Sequence, residues 1–263
     1  MAVPGGQRSF RRIDDNNAMK RNTCLVVGSS GTIGAAVARR LAGEGVSLGL
    51  HYFRNRSAVE DLRTEIESTG SICELFKADL MSEATCVKLI AEFHDRFGPM
   101  DSLSICHGEV NWRDWQELDW SDWETIFQQH CMAPYTLVKQ AIPYLAVNDT
   151  GRIVFLSSIS PKYAGSSKSI HYAAAKGALE IMMRGLAREV AKSGICINGV
   201  RAGFVLTPQQ IGGRSQEEIK ERIRKIPMGR SGKPEEVAEA FHYLMSGAAG
   251  FITGEILTVA GGD

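Results

Sequence analysis

The chain has 263 residues, 44% of them hydrophobic, and its 30 Lys and Arg are balanced by 30 Asp and Glu. That balance counts against nucleic acid or an anionic membrane surface as the main partner. No apolar run approaches the ~20 residues of a spanning helix, and the length suits one α/β domain with a large core. Six cysteines, at 24, 73, 86, 106, 131 and 196, are scattered along the chain. None falls in a CxxC pair and no His-x-x-x-His occurs, so no metal is expected. They read as small apolar residues of a cytoplasmic protein in a reducing compartment.

Residues 1–20 are rich in Gly, Arg and Asn and lack an apolar h-region. They read as a disordered tail rather than a secretory signal, which leaves 21–263 as a single domain. A first strand is expected at 23–27. It runs into Gly28-Ser29-Ser30-Gly31-Thr32-Ile33-Gly34 and then a helix over 32–44. Strand, glycine turn and helix in this order suit a dinucleotide. Gly28 allows the turn, Gly31 lets backbone approach phosphate, and Gly34 lets helix and strand pack closely. The helix N-terminus offers free N–H groups to a pyrophosphate. After the strand at 47–51 no acid is present to bind a ribose 2′-hydroxyl. Arg54 and Arg56 follow instead, and a guanidinium is a bidentate partner for the 2′-phosphate of NADP. NADP(H) is therefore expected ahead of NAD(H).

Helices at 57–69, 82–97 and 120–146 alternate with strands at 72–77, 101–106 and 151–157. The third of these strands ends on Ser157 and Ser158. The next helix, 170–192, carries Tyr172 and Lys176, which share one face at four-residue spacing. A phenol beside an ammonium is expected to have a lowered pKa. A hydroxyl at the preceding strand end would hold a carbonyl against that phenol, which suits proton transfer to a ketone oxygen. A strand at 195–200 leads to Gly203, Val205 and Thr207. The charged stretch 214–225 has helical spacing at Ile219, Arg222, Ile223 and Ile226, and reads as a lid helix or a solvated connector. A helix at 234–245 and a strand at 255–259 close the chain. Such alternation predicts an α/β fold: a Rossmann-like, doubly wound parallel sheet of about seven strands with helices on both faces. Ligands of such sheets lie beyond the strand C-termini, where Gly28, Asp79, Gly108, Ser158 and Gly203 all fall.

The glycine turn, Lys77-Ala78-Asp79-Leu80, Arg152 to Ser158, Tyr172 to Lys176, Asn198 to Thr207 and the two C-terminal blocks lie in collinear order. With them the chain resembles the short-chain dehydrogenase/reductase family from about Asn22 to Asp263. Its 3-oxoacyl-carrier-protein reductase type is the most similar. The resemblance implies an NADP-dependent oxidoreductase that interconverts C=O and CH–OH on a ketone or an acyl-thioester substrate. It also implies a homodimer or homotetramer. Ser158, Tyr172 and Lys176 take the catalytic roles, with Ser157 and Ser160 as alternative serines. Nucleotide contacts fall to Gly28, Ser29, Ser30, Gly31, Ile33, Gly34, Arg54, Asp79, Leu80, Gly108, Tyr172, Lys176, Gly203, Val205 and Thr207. Asp79 would meet the adenine amino group and Thr207 the carboxamide.

Several positions depart from the family pattern. The glycines are spaced GxxGxxG. Ile105-Cys106-His107-Gly108 replaces Asn-Asn-Ala-Gly, and Ala202 replaces a proline. One extra residue separates Ser158 from Tyr172. His130 stands at the helix Asn that holds a proton-relay water. An imidazole there either carries the relay, as a fourth catalytic residue, or interrupts it. Two other readings keep the fold: a non-catalytic nucleotide-binding subunit, and a dehydratase or epimerase.

Overall fold

The structure is a computed structural model and describes residues 22–145 and 150–263. The expected tail at 1–20 lies outside the described residues. Seven parallel strands form one sheet in the order β3-β2-β1-β4-β5-β6-β7. They are β1 (Thr23–Val27), β2 (Ser47–Tyr52), β3 (Cys73–Lys77), β4 (Ser102–Ile105), β5 (Arg152–Ser158), β6 (Cys196–Ala202) and β7 (Ile256–Val259). The expected strands are all present, with ends shifted by at most two residues.

The helices are α1 (Thr32–Ala42), α2 (Arg56–Glu67), α3 (Glu83–Phe97), α4 (Trp120–Phe127), α5 (Ala133–Leu145), α6 (Ile170–Val190), α7 (Pro208–Gly212), α8 (Gln216–Arg224) and α9 (Pro234–Met245). Successive side chains of a strand face opposite sides of the sheet, and the core divides accordingly. Cys24 and Val26 pack with α1, α2 and α9, whereas Leu25 and Val27 pack with α3, α5 and α6. Strands buried on both faces explain the continuous apolar runs in the sequence.

β1 pairs with β2 on one side and β4 on the other. The chain thus reverses direction across the sheet between β1 and β4, which opens a crevice at their C-terminal ends. The helix expected over 120–146 is divided by a π-helical turn, Gln128–Met132, between α4 and α5. α4 opens with a capping box in which the Asp119 carboxylate accepts from the Asp122 N–H and Asp122 answers the Asp119 N–H. The stretch at 214–225 does form a helix, α8, with its own capping box between Ser215 and Glu218. Its Ile219 and Ile223, with Ile226 just beyond it, pack on Phe204.

Candidate active site

The glycine turn sits at the mouth of the β1–β4 crevice. Gly28 has φ +83°, and a Cβ on it would lie 2.7 Å from the His107 backbone. A Cβ on Gly34 would overlap the Gly28 carbonyl oxygen. The turn therefore presents backbone rather than side chains. No side chain caps α1, whose N-cap is Gly31, so its first N–H groups are open to an anion. Ser30 and Ile33 flank this opening, both half-buried. A cradle of this shape and polarity fits a dinucleotide pyrophosphate.

His51, at the end of β2, holds the turn in place, and its role was not read from the sequence. The Gly28 N–H donates to His51 Nδ1 at 3.1 Å, and His51 Nε2 donates to the Ala78 carbonyl at 3.1 Å. The imidazole ties the ends of β1, β2 and β3 together. Burial pushes its pKa down to about 4, so it stays neutral and keeps an acceptor for Gly28. A histidine inside a strand carries no sequence signal for this role, because the three elements meet only in the fold.

Ser29 was expected among the nucleotide contacts. The structure turns it inward: it is fully buried and its hydroxyl donates to the His51 carbonyl at 2.9 Å. Arg54 lies at the exposed end of β2 with its guanidinium 5.1 Å from the Phe53 ring centroid. It makes no ion pair among the described residues, whereas Arg56 is held by Glu60 at 2.8 Å. Asp79 follows β3; one carboxylate oxygen accepts from the Met81 N–H at 3.1 Å. Leu80 is buried beside it. Gly203 follows β6 against Ala260. Val205 is buried and bridges to Gly232. Thr207 caps α7, its hydroxyl oxygen accepting from the Gln210 N–H at 3.3 Å, which leaves the hydroxyl proton free to donate.

At the end of β5 the two serines divide. Ser157 is buried and its hydroxyl donates to Glu180 at 2.7 Å. Ser158 is half-buried, and its oxygen accepts from the Ser160 N–H at 3.1 Å. Only Ser158 lies against the Tyr172 phenol. Lys176 is buried and donates to the Leu156 carbonyl at 2.7 Å, with Nζ 5.8 Å from the Tyr172 ring centroid. Burial pulls its pKa down to about 8. The expected lowering at Tyr172 does not appear. Burial pushes the phenol up to about 12, and the neighbouring Ser158 hydroxyl only partly opposes it. Desolvation of a phenolate outweighs an ammonium already engaged by a carbonyl.

His130 projects from the π turn into this site. Its ring meets Tyr172 edge-on, with centroids 5.2 Å apart and planes at 81°. Nε2 donates to the Glu109 carbonyl at 3.0 Å. Nδ1 is therefore the acceptor nitrogen, and it is buried with no partner. Burial, then the nearby Lys176 charge, hold the ring neutral well below its ordinary pKa. The ring occupies the space a side chain on Gly108 would need. His107 behaves alike: Nε2 donates to the Gln129 carbonyl at 2.9 Å and Nδ1 has no partner. His171, next to Tyr172, is fully buried and packs edge-on against Trp123.

A glycine cradle at the β1–β4 crevice and a Ser158, Tyr172 and Lys176 group at β5 and α6 occupy one end of one parallel sheet. The family model described as Enoyl-(Acyl carrier protein) reductase matches residues 27–263. The chain belongs to the short-chain dehydrogenase/reductases. It is therefore an oxidoreductase of a family that binds NAD(P)(H) and acts on small-molecule substrates. It is 35% identical over 243 residues to the uncharacterized oxidoreductase YmfI of Bacillus subtilis, covering 91% of this chain and 98% of that one. It is 32% identical to glucose and ribitol dehydrogenase homolog 2 of Arabidopsis thaliana, over 98% of this chain and 91% of that one. A solved dehydrogenase/reductase from Sinorhizobium meliloti superposes with a TM-score of 0.86 at 27% identity. That match covers 92% of this chain and 94% of the other. No helix among the described residues is long and apolar enough to cross a membrane.

Proposed function

We propose that this short-chain dehydrogenase/reductase is an NADPH-dependent carbonyl reductase. Its substrate is a ketone or a β-ketoacyl group. The observation that carries the reading is the convergence of Ser158, Tyr172 and Lys176 beside the glycine cradle. A bound nicotinamide supplies the hydride. Gly28, Gly31 and the open end of α1 would hold its pyrophosphate, Asp79 the adenine, and Thr207 the carboxamide. The Ser158 hydroxyl donates to the substrate oxygen. Tyr172, whose raised pKa keeps it protonated, delivers its phenolic proton to that oxygen. Lys176 lies next to the phenol and offers its ammonium to the nicotinamide ribose. His130 acts as a positioning residue. It stays neutral, packs on the Tyr172 ring and presents Nδ1 as an acceptor for a water.

The NADP preference rests on Arg54, exposed and without a carboxylate at the end of β2. Assembly as a homodimer or homotetramer is supported by exposed apolar side chains on the helical face, among them Met132, Tyr135 and Ile181. A cytoplasmic location is supported by six buried free cysteines.

Consumption of NADPH and NADH is measured against β-ketoacyl thioesters and cyclic or aromatic ketones. Turnover with NADPH is expected, and Tyr172→Phe is expected to reduce it by at least ~10²-fold while nucleotide binding persists. Nucleotide binding without turnover on the whole panel would overturn the reductase reading in favour of a non-catalytic subunit.

A further inference from the structure

The loop between β4 and α4 meets the segment that holds α7 and α8 at a single stack. The Arg214 guanidinium lies 4.3 Å from the Trp112 ring centroid and 5.4 Å from that of Phe204. Both rings belong to segments that lead directly from the active site. Trp112 sits between Glu109, whose carbonyl holds His130, and Arg113, whose N–H donates to the Lys168 carbonyl at 3.2 Å. Lys168 is four residues ahead of Tyr172. Phe204 directly follows Gly203 at the end of β6. Gly213 permits the stack, because a Cβ there would collide with the Trp112 indole.

The stack is sterically complete and electrostatically open. Arg214 is half-buried, donates to the Gln210 side-chain oxygen, and forms no ion pair among the described residues. The acid whose charge it feels, Glu218, is engaged by the Ser215 N–H at 2.6 Å at the start of α8. A second cation, Arg222, shares the Phe204 ring at 5.7 Å and is itself paired with Asp263. The Trp112 indole N–H is buried and has no acceptor. Arg201 and Arg222 show the contrast, since each reaches a carboxylate. A guanidinium held against two rings, with no carboxylate on its donor edge, is preorganised to pair through its two-nitrogen fork with a carboxylate or a phosphoryl oxyanion.

We propose that Arg214, held on Trp112, is a specificity-determining residue that binds an oxyanion on the substrate. The ketone then carries a carboxylate or a phosphoryl group at the end remote from its carbonyl. This rests on the carbonyl-reductase reading of the same site. The ring stack fixes the guanidinium before binding, so less side-chain entropy is lost on capture.

The test uses matched ketones on the full-length protein. Keto acids of graded chain length are compared with their methyl esters, and keto phosphomonoesters with the corresponding alcohols. Wild type, Arg214→Gln and Arg214→Lys are assayed side by side. Wild type is expected to favour one anion class over its neutral partner by about 10-fold or more in kcat/KM. Which class is favoured separates carboxylate from phosphoryl. In Arg214→Gln the anion-to-neutral ratio should fall by about 10-fold, mainly through KM. Arg214→Lys should recover only part of it, because an ammonium lacks the planar fork. An unchanged ratio in Arg214→Gln, or no anion preference in wild type, overturns the proposal.

If no ketone is reduced, the reductase reading fails. Calorimetric titration of the same pairs onto the nucleotide-loaded protein then decides the anion site separately. Binding of an anion that weakens about 10-fold in Arg214→Gln supports it, and equal binding overturns it.

Discussion

Glu180 shows how a single side chain can brace a site it does not enter. One turn beyond Lys176 on α6, it accepts from Ser157 at 2.7 Å and is gripped by Arg201 through two nitrogens at 3.0 and 2.6 Å. This network ties α6, which carries Tyr172 and Lys176, to β5, which carries Ser158, and to β6. Breaking a buried pair by removing one partner leaves the other charge uncompensated and costs about 3–5 kcal/mol. Glu180→Ala should therefore lower the urea midpoint sharply. Arg201 keeps some solvent contact, with its side chain 22% exposed, so the lower end of that range is expected. Glu180→Gln keeps the Ser157 hydrogen bond and should cost less. The same network distinguishes the two serines, since the Ser157 hydroxyl is committed to a carboxylate and the Ser158 hydroxyl is not.

At the scale of elements, the β1–α1 turn and the π turn do different work. The first is a close approach between helix and strand that only glycine permits. Gly34→Ala must displace the Gly28 carbonyl, and overpacking of this kind costs typically ~1–3 kcal/mol. Because the displaced carbonyl belongs to the nucleotide cradle, the affinity for NADPH should fall further than stability does. Equilibrium binding set against urea denaturation measures the two losses. An affinity that survives while stability drops would separate the turn from nucleotide binding. The π turn places one extra residue in the α4–α5 helix, and π insertions of this kind recur at functional sites. Here it delivers His130 beneath Gly108 and against Tyr172. The regular helix expected from the sequence had no means of showing that, because apolar spacing on both sides is unbroken.

At the scale of the whole molecule, burial governs titration. His51, His107, His130, His171 and His242 all have lowered pKa values, with burial the leading cause at each. A histidine depressed in the folded state is protonated first in the unfolded chain. Stability is then lost as pH falls from the unfolded value near ~6.5 toward the folded value. For His51, with its folded value of about 4, the loss is about 3 kcal/mol across that window. The urea midpoint should be level near pH ~7 and fall steadily by pH ~5. A midpoint that stays level over this range would contradict the neutral, buried assignment.

The sequence by itself determined the fold class, the chain order of strands and helices, the glycine cradle and the Tyr172–Lys176 pair. Each of these is written in local spacing: short continuous apolar runs, period-3.6 apolar patterns, glycines at a turn, and a Tyr–Lys pair four residues apart on a helix. Only the tertiary structure decided how polar atoms far apart in sequence meet. It turned Ser29 inward onto His51, gave Ser157 to Glu180, set His130 against Tyr172, and raised rather than lowered the Tyr172 pKa. Hydrogen-bond partners and desolvation depend on packing across the sheet, and no local pattern in the chain encodes them.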